Sequence, residues 1–194
     1  MLRMDALTSR LTIPALSRRH LLLIGGTVGA AVLTALATYI RIPLPFSPVP
    51  VTGQTLAVLV AGALLGPTAG PLSQALFLGL GATGITAFAG GAITGLTGGY
   101  LVGFVFAARI VGMVTRRTKN VMAVALAMGA ASAVILASGA AWLCLMQGLS
   151  VSEAVTLGVV PFIPGDIMKL LLALATWRVG LGIWRTYSGE PGAE

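Results

Sequence analysis

Asp166 and Lys169 stand three residues apart at the start of a long apolar run, directly after Pro161, Pro164 and Gly165. That spacing puts both side chains on one face of a helix, and a carboxylate and an ammonium at membrane depth face a cavity or one another. On this reading they line a polar pocket. A second reading also fits: an aspartate after Pro-Gly can cap a helix N-terminus, with Lys169 neutralising it or reaching out to the interface. Two further segments hold groups suited to a small ligand. In Phe88-Ala89-Gly90-Gly91 and Thr97-Gly98-Gly99-Tyr100, glycines expose backbone N–H and C=O groups without side-chain obstruction, and Tyr100 adds a ring and a hydroxyl. The stretch 43–54, rich in proline, is stiff, excludes helix and could form a cap.

Catalytic chemistry finds few candidates. His20 is the only histidine and sits beside Arg18 and Arg19 at the edge of the first apolar run, the position of an interfacial residue. Cys144 is the only cysteine and lies within an apolar run, which excludes an internal disulfide and a cysteine-based metal site. Without a second histidine, a carboxylate pair or a cysteine near a base, hydrolase and metal-site templates cannot be assembled. No Gly-x-x-x-x-Gly-Lys-Ser/Thr loop is present, so energy from ATP would have to come from a partner. The expectation is a binder without enzyme activity, cofactor or metal.

The elements that must position these residues are set by composition. Of 194 residues, 57% are hydrophobic and 9% charged, against about a quarter charged in a soluble domain. Apolar runs at 21–40, 54–65, 69–88, 98–114, 121–146 and 167–184 mostly approach the roughly 20 residues that span a bilayer. Their continuity favours helices over the alternating strands of a membrane barrel. Six spans are expected, with 54–65 the weakest, short and bounded by prolines, so that it is tilted, broken or begins within the proline-rich stretch. The net charge of +7 needs no nucleic acid. Arg3, Arg10, Arg18 and Arg19, then Arg116, Arg117 and Lys119, then Arg185 all fall on one side of six alternating spans, the cytoplasmic side by the positive-inside rule. Both termini are then cytoplasmic, and the connections 41–53, 85–97 and 147–165 meet outside, which favours a small-molecule pocket there.

One membrane domain is expected at 21–186, between a basic cytoplasmic tail at 1–20 and a cytoplasmic tail at 187–194. The first run has no convincing cleavage site before it and should stay as a helix. Small residues at four-residue spacing, such as Gly95, Gly99 and Gly103, let membrane helices approach closely. On the first helix, Thr27, Ala31 and Ala35 form one smooth stripe and Gly26, Ala30, Thr34 and Thr38 another. Packing within the domain and docking of a separate membrane subunit both account for it. The likeness of 66–72 to 95–101 is of the kind that a glycine-rich chain produces by chance.

Taken in order, Ile42-Pro43-Leu44-Pro45, Val49-Pro50-Val51-Thr52-Gly53-Gln54-Thr55, Gly66-Pro67-Thr68-Ala69-Gly70, Phe88-Ala89-Gly90-Gly91, Thr97-Gly98-Gly99-Tyr100-Leu101-Val102-Gly103-Phe104 and 161–169 resemble the BioY family. These are the biotin-specific substrate-binding (S) components of energy-coupling factor (ECF) transporters. The resemblance covers roughly 31–173. It implies an all-α, multi-pass protein of the cell membrane with six transmembrane helices, binding biotin near its outer face. ATP hydrolysis is left to ATPase subunits acting through a transmembrane coupling subunit. By motif it implies a site of Gly90, Gly91, Thr97, Gly98, Gly99, Tyr100, Asp166 and Lys169, and a coupling-subunit contact at Ala31 and Ala35. On that basis Asp166 accepts from a ureido N–H, Lys169 pairs with the carboxylate, glycine backbone groups meet the ureido carbonyl and Tyr100 packs on the ring. Two departures stand out. Leu96 replaces the family's proline before Thr97, and no arginine lies between Gly91 and Gly95, which shifts the carboxylate towards Lys169. The alternatives are an S component for another vitamin, or a carrier working without an ATPase module.

Overall fold

The structure, a computed structural model, describes the backbone of residues 18–84 and 94–188 and the side chains of 20–84 and 94–182. In chain order it comprises α1 (Arg18–Leu36), strands β1 (Arg41–Ile42) and β2 (Val51–Thr52), and α2 (Gln54–Ala82). There follow α3 (Gly98–Arg117), α4 (Val121–Gln147), α5 (Val151–Gly158), a 3-10 turn (Val160–Phe162) and α6 (Ile163–Ser188). The dense prolines of 43–50 do exclude helix. They lie between two short strands that pair antiparallel, Arg41 with Thr52 and Ile42 with Val51, a hairpin the sequence reading did not foresee.

Four helical stretches, Gln54–Ala82, Gly98–Arg117, Val121–Gln147 and Val151–Gly182, are long and apolar enough to cross a bilayer, and His20–Leu36 is a shorter apolar helix. Large hydrophobic side chains point outward along these helices: Leu22 and Leu36 on α1, Leu126 and Leu145 on α4, Ile167, Leu171 and Val179 on α6. Water would penalise such a surface, and hydrocarbon accepts it. The chain is an integral membrane protein.

The runs 54–65 and 69–88 form two helices joined directly at Gly66 and counted together as α2, which ends at Ala82; residues 85–88 of the second run lie outside the described residues. The element is broken at Gly66, whose φ of 83° and ψ of −169° belong to a region open essentially to glycine. Pro67 then starts the second half, where its missing N–H costs nothing. The break is a sharp reversal, since a Cβ on Gly70 would lie 3.0 Å from the Cα of Gly62. In a straight helix those residues would stand about 12 Å apart along the axis. Pro71 has no N–H for the carbonyl of Pro67, and Arg109 of α3 donates to that oxygen instead at 3.1 Å.

α3 is the central helix, packed on α2 to one side and α4 to the other. Small residues set both contacts. Gly62 and Gly66 of α2 meet Ala108 and Gly112 of α3, four residues apart on each helix, and Gly99 and Gly103 lie against Ser138 and Ile135 of α4. The core between them holds Leu59, Phe77, Leu101, Met128, Ile135 and Trp177. A buried polar chain joins α1 to α2, with the Thr34 hydroxyl 3.2 Å from Gln74 Oε1 and Gln74 Nε2 donating to Ser73 at 2.9 Å.

That inward packing corrects one expectation. Ala31 is 1% exposed and belongs to the core, so it has no surface to offer a coupling subunit, whereas Ala35 remains half-buried. The outward face of α1 is instead Val28, Gly29, Val32, Leu33 and Leu36. Residues 1–17 and 189–194, most of both expected tails, lie outside the described residues.

Candidate functional site

Each element that reaches the hairpin end of the molecule is anchored there by a specific bond. The Ser47 hydroxyl donates to the carbonyl of Leu157 at 2.7 Å, tying the hairpin loop to α5. Trp142 of α4 donates from its indole N–H to the carbonyl of Gly95 at 2.9 Å, which fixes the approach to α3. Ser150 caps α5 through a reciprocal capping box with Glu153. The carbonyl of Gly158 at the far end of that helix accepts the Tyr100 hydroxyl at 2.7 Å. The expected outer connections therefore meet at one end as far as they are described. The Gly66 reversal, with Arg109 and Arg116 against it, lies elsewhere on α3, towards its C-terminus.

Asp166 and Lys169 are brought together. Lys169 Nζ lies 3.0 Å from Asp166 Oδ1, and both side chains are largely buried. α6 begins at Ile163, so Asp166 sits within its first turn. It is therefore not the N-cap that its place after Pro-Gly allowed, although the helix dipole still favours a negative charge there. Lys169 does not reach out to the interface; it neutralises the carboxylate, without which a buried charge would be costly.

Beside this pair is a small, partly open cavity of about 30 Å³. The hairpin contributes Val49, Pro50 and Thr52, α2 opens onto it with Gln54 and Thr55, and α3 with Thr97 and Tyr100; Phe162 of the 3-10 turn and Asp166 and Lys169 close it. Of the expected site residues, Thr97, Tyr100, Asp166 and Lys169 converge here. Tyr100 presents its ring rather than its hydroxyl, which Gly158 holds, and the ring lies 6.0 Å from Phe162 at 40°. Gly98 and Gly99 are buried but do not line the cavity. A Cβ on Gly99 would collide with the Ser138 carbonyl and Trp142, so that glycine admits α4 rather than a ligand. Gly90 and Gly91 lie outside the described residues.

The sequence reading placed Thr52 and Gln54 only in a stretch that could form a cap, and named none of Thr52, Gln54, Thr55 and Phe162 as a site residue. Gln54 carried a signal, a polar residue at the first position of an apolar run, yet it looked like the edge of a loop. Two larger spaces are open grooves. One, of about 710 Å³ between α4, α5 and α6, is lined almost wholly by apolar side chains. The other, of about 610 Å³, lies between α1 and the start of the second half of α2, beside Arg116. The polar groups converge on the small cavity, and that is where a hydrogen-bonding ligand finds partners.

A family model described as the BioY family matches residues 12–188. Relatives named biotin transporter BioY include one from Rhizobium etli, 34% identical over 77% of this chain and 87% of the relative. Another, from Rhodobacter capsulatus, is 36% identical over 79% and 88%; a third, from Thermotoga maritima, is 35% identical over 68% and 80%. Among solved structures, the S-component for biotin from an ECF-type ABC transporter superposes with a TM-score of 0.77 at 23% identity, covering 84% of this chain and 93% of that one. The two share a fold.

Proposed function

The chain belongs to the BioY family, and from that membership we propose that it binds biotin for uptake, as the membrane-embedded substrate-binding component of an ECF transporter. It moves its ligand without converting it. The observation that carries this reading is the meeting of Asp166, Lys169, Thr97 and the ring of Tyr100 around one buried space. Biotin offers two ureido N–H donors, a carbonyl, an apolar fused ring and a carboxylate tail. Asp166 accepts a ureido N–H and the ring packs on Tyr100, while Lys169, whose ammonium has three donors, keeps its bond to Asp166 and adds a charge-assisted bond to the carboxylate tail. Gly90 and Gly91 remain in the proposed site through their backbone groups.

The membrane arrangement follows the same reading. α1, the two halves of α2, α3, α4 and α6 make six crossings in the cell membrane, with both termini cytoplasmic. The basic residues Arg116, Arg117 and Lys119 at the end of α3 and the Gly66 reversal support this orientation. ATP hydrolysis belongs to separate ATPase subunits acting through a coupling subunit. That subunit meets α1 along its exposed face, with Ala35 at the edge of the contact.

Uptake of labelled biotin tests the function. In a biotin-requiring cell that lacks its own uptake system, expression of this chain with coupling and ATPase subunits should restore accumulation, and unlabelled biotin but not riboflavin should compete. Cells that stay unable to accumulate biotin while the chain reaches the membrane would overturn the reading.

A further inference from the structure

The open groove of about 610 Å³ between α1 and the second half of α2 shares no residue with the small cavity beside Asp166. Its walls are apolar, with Leu23, Ile24 and Val28 on α1 facing Leu65 and Leu72 on α2. Most of these side chains are exposed, so the groove opens towards the bilayer. One cation borders it, Arg116, in the last turn of α3. Its guanidinium lies over the Gly66 break, where a Cβ would come 2.5 Å from Nε. Arg109 stands seven residues earlier on the same face of α3, about 10 Å along the axis, and donates to the carbonyl of Pro67, which also lines the groove. Both arginines are exposed. Neither has a carboxylate to balance it: the two carboxylates among the described residues, Glu153 and Asp166, belong to the hairpin end.

We propose that this groove holds an anionic phospholipid, with an acyl chain between α1 and α2 and the phosphate on the Arg116 guanidinium. Its volume falls within the roughly 300 to 1,000 Å³ of small-ligand sites. A groove open to the bilayer meets acyl chains at the concentration of the membrane itself, so the choice lies in the headgroup. A guanidinium presents forked donors that match phosphate oxygens. Two arginines without carboxylates also favour a headgroup of net negative charge over a zwitterionic one, whose own ammonium they repel. Free phosphate would leave the apolar walls unfilled. Val28 belongs to the outward face of α1 as well, so the lipid borders the proposed coupling-subunit contact. The proposal is independent of the biotin reading.

The test compares dioleoyl phosphatidylglycerol with dioleoyl phosphatidylcholine, which carry the same acyl chains, added to the delipidated full-length protein in detergent. Native mass spectrometry counts the bound lipid, and the rise in melting temperature gives an apparent affinity. Wild-type protein should bind phosphatidylglycerol at least about fivefold more tightly, the effect of one charge at a membrane surface, and the preference should shrink as salt rises. Arg116→Gln should abolish the preference. Arg178→Gln, which removes an exposed arginine of α6 near where Gly180 meets Leu64, should keep it. Should Arg116→Gln fail to fold, Leu72→Trp, which narrows the groove from an exposed position and leaves every charge in place, must lower the affinity for phosphatidylglycerol at least about fivefold. Equal affinity of wild-type protein for the two lipids would overturn the proposal, as would a preference that survives Arg116→Gln or an affinity unchanged by Leu72→Trp. Equal stabilisation by inorganic phosphate would make Arg116 a site for a free anion and overturn it too. A groove that takes no lipid in the isolated chain, and in which Ile24→Cys in a Cys144→Ala background is shielded from thiol reagents only by a coupling subunit, would give the groove to that subunit instead.

Discussion

Asp166→Asn keeps the shape of the side chain and removes its charge, so it separates what the carboxylate does from what it fills. Lys169 would lose its partner 3.0 Å away, and a ureido N–H would meet a weaker acceptor. Biotin binding should weaken by at least about 1 to 3 kcal/mol, read as a five- to 150-fold rise in Kd. Unchanged affinity in a folded variant would remove Asp166 from the site. The pairing itself was legible in the sequence, because three-residue spacing on a helix fixes a shared face. Which of two roles Asp166 takes was not legible. That depended on α6 starting at Ile163, a boundary set by the 3-10 turn that packs Phe162 beneath Tyr100. Gln54 escaped notice for a related reason. A glutamine with both amide ends satisfied and one with a free Nε2 read identically until Thr52 is placed beside it.

At the level of elements, Gly66 is the position on which the path of the chain turns. Its φ of 83° and ψ of −169° penalise any side chain, so Gly66→Ala should cost about 1 to 3 kcal/mol and lower the melting temperature in detergent. Gly79→Ala, with open space around an ordinary helical glycine, should be neutral or slightly stabilising. Equal melting temperatures for the two variants would contradict the strained reversal. The apolar runs showed where helices lie, and the glycine spacing on α3 foretold the close contacts of Gly99 and Gly103 with α4. The halves of α2 were harder to read, since hydropathy does not distinguish a connecting loop from a one-residue reversal. The stripe on α1 had two readings, and burial of Ala31 among core residues decided its own part in favour of internal packing. A smooth face is equally suited to a neighbour within the chain or outside it.

For the whole molecule, the arrangement of charge was the most legible property, because it depends on counting basic residues between runs and not on packing. It predicts a definite topology. In a Cys144→Ala background, Gln147→Cys should react with a membrane-impermeant thiol reagent on intact cells, whereas Arg117→Cys should react only after permeabilisation. The opposite pattern would invert the protein in the membrane, and labelling of both on intact cells would break the six-crossing path. The small size of the space at the site was not legible. A cavity of about 30 Å³ is far below the roughly 300 Å³ at the lower end of small-molecule pockets, so ligand entry requires lining elements to move apart. The hairpin, joined to α5 by the Ser47 bond to Leu157, forms one wall of that cavity and is an element whose displacement would open it. Calorimetric titration of the detergent-purified protein with biotin, with riboflavin and thiamine as controls, tests the central claim most directly. Tight binding of biotin alone is the expected result; well-folded protein that binds no biotin, or binds the controls as well, would contradict it.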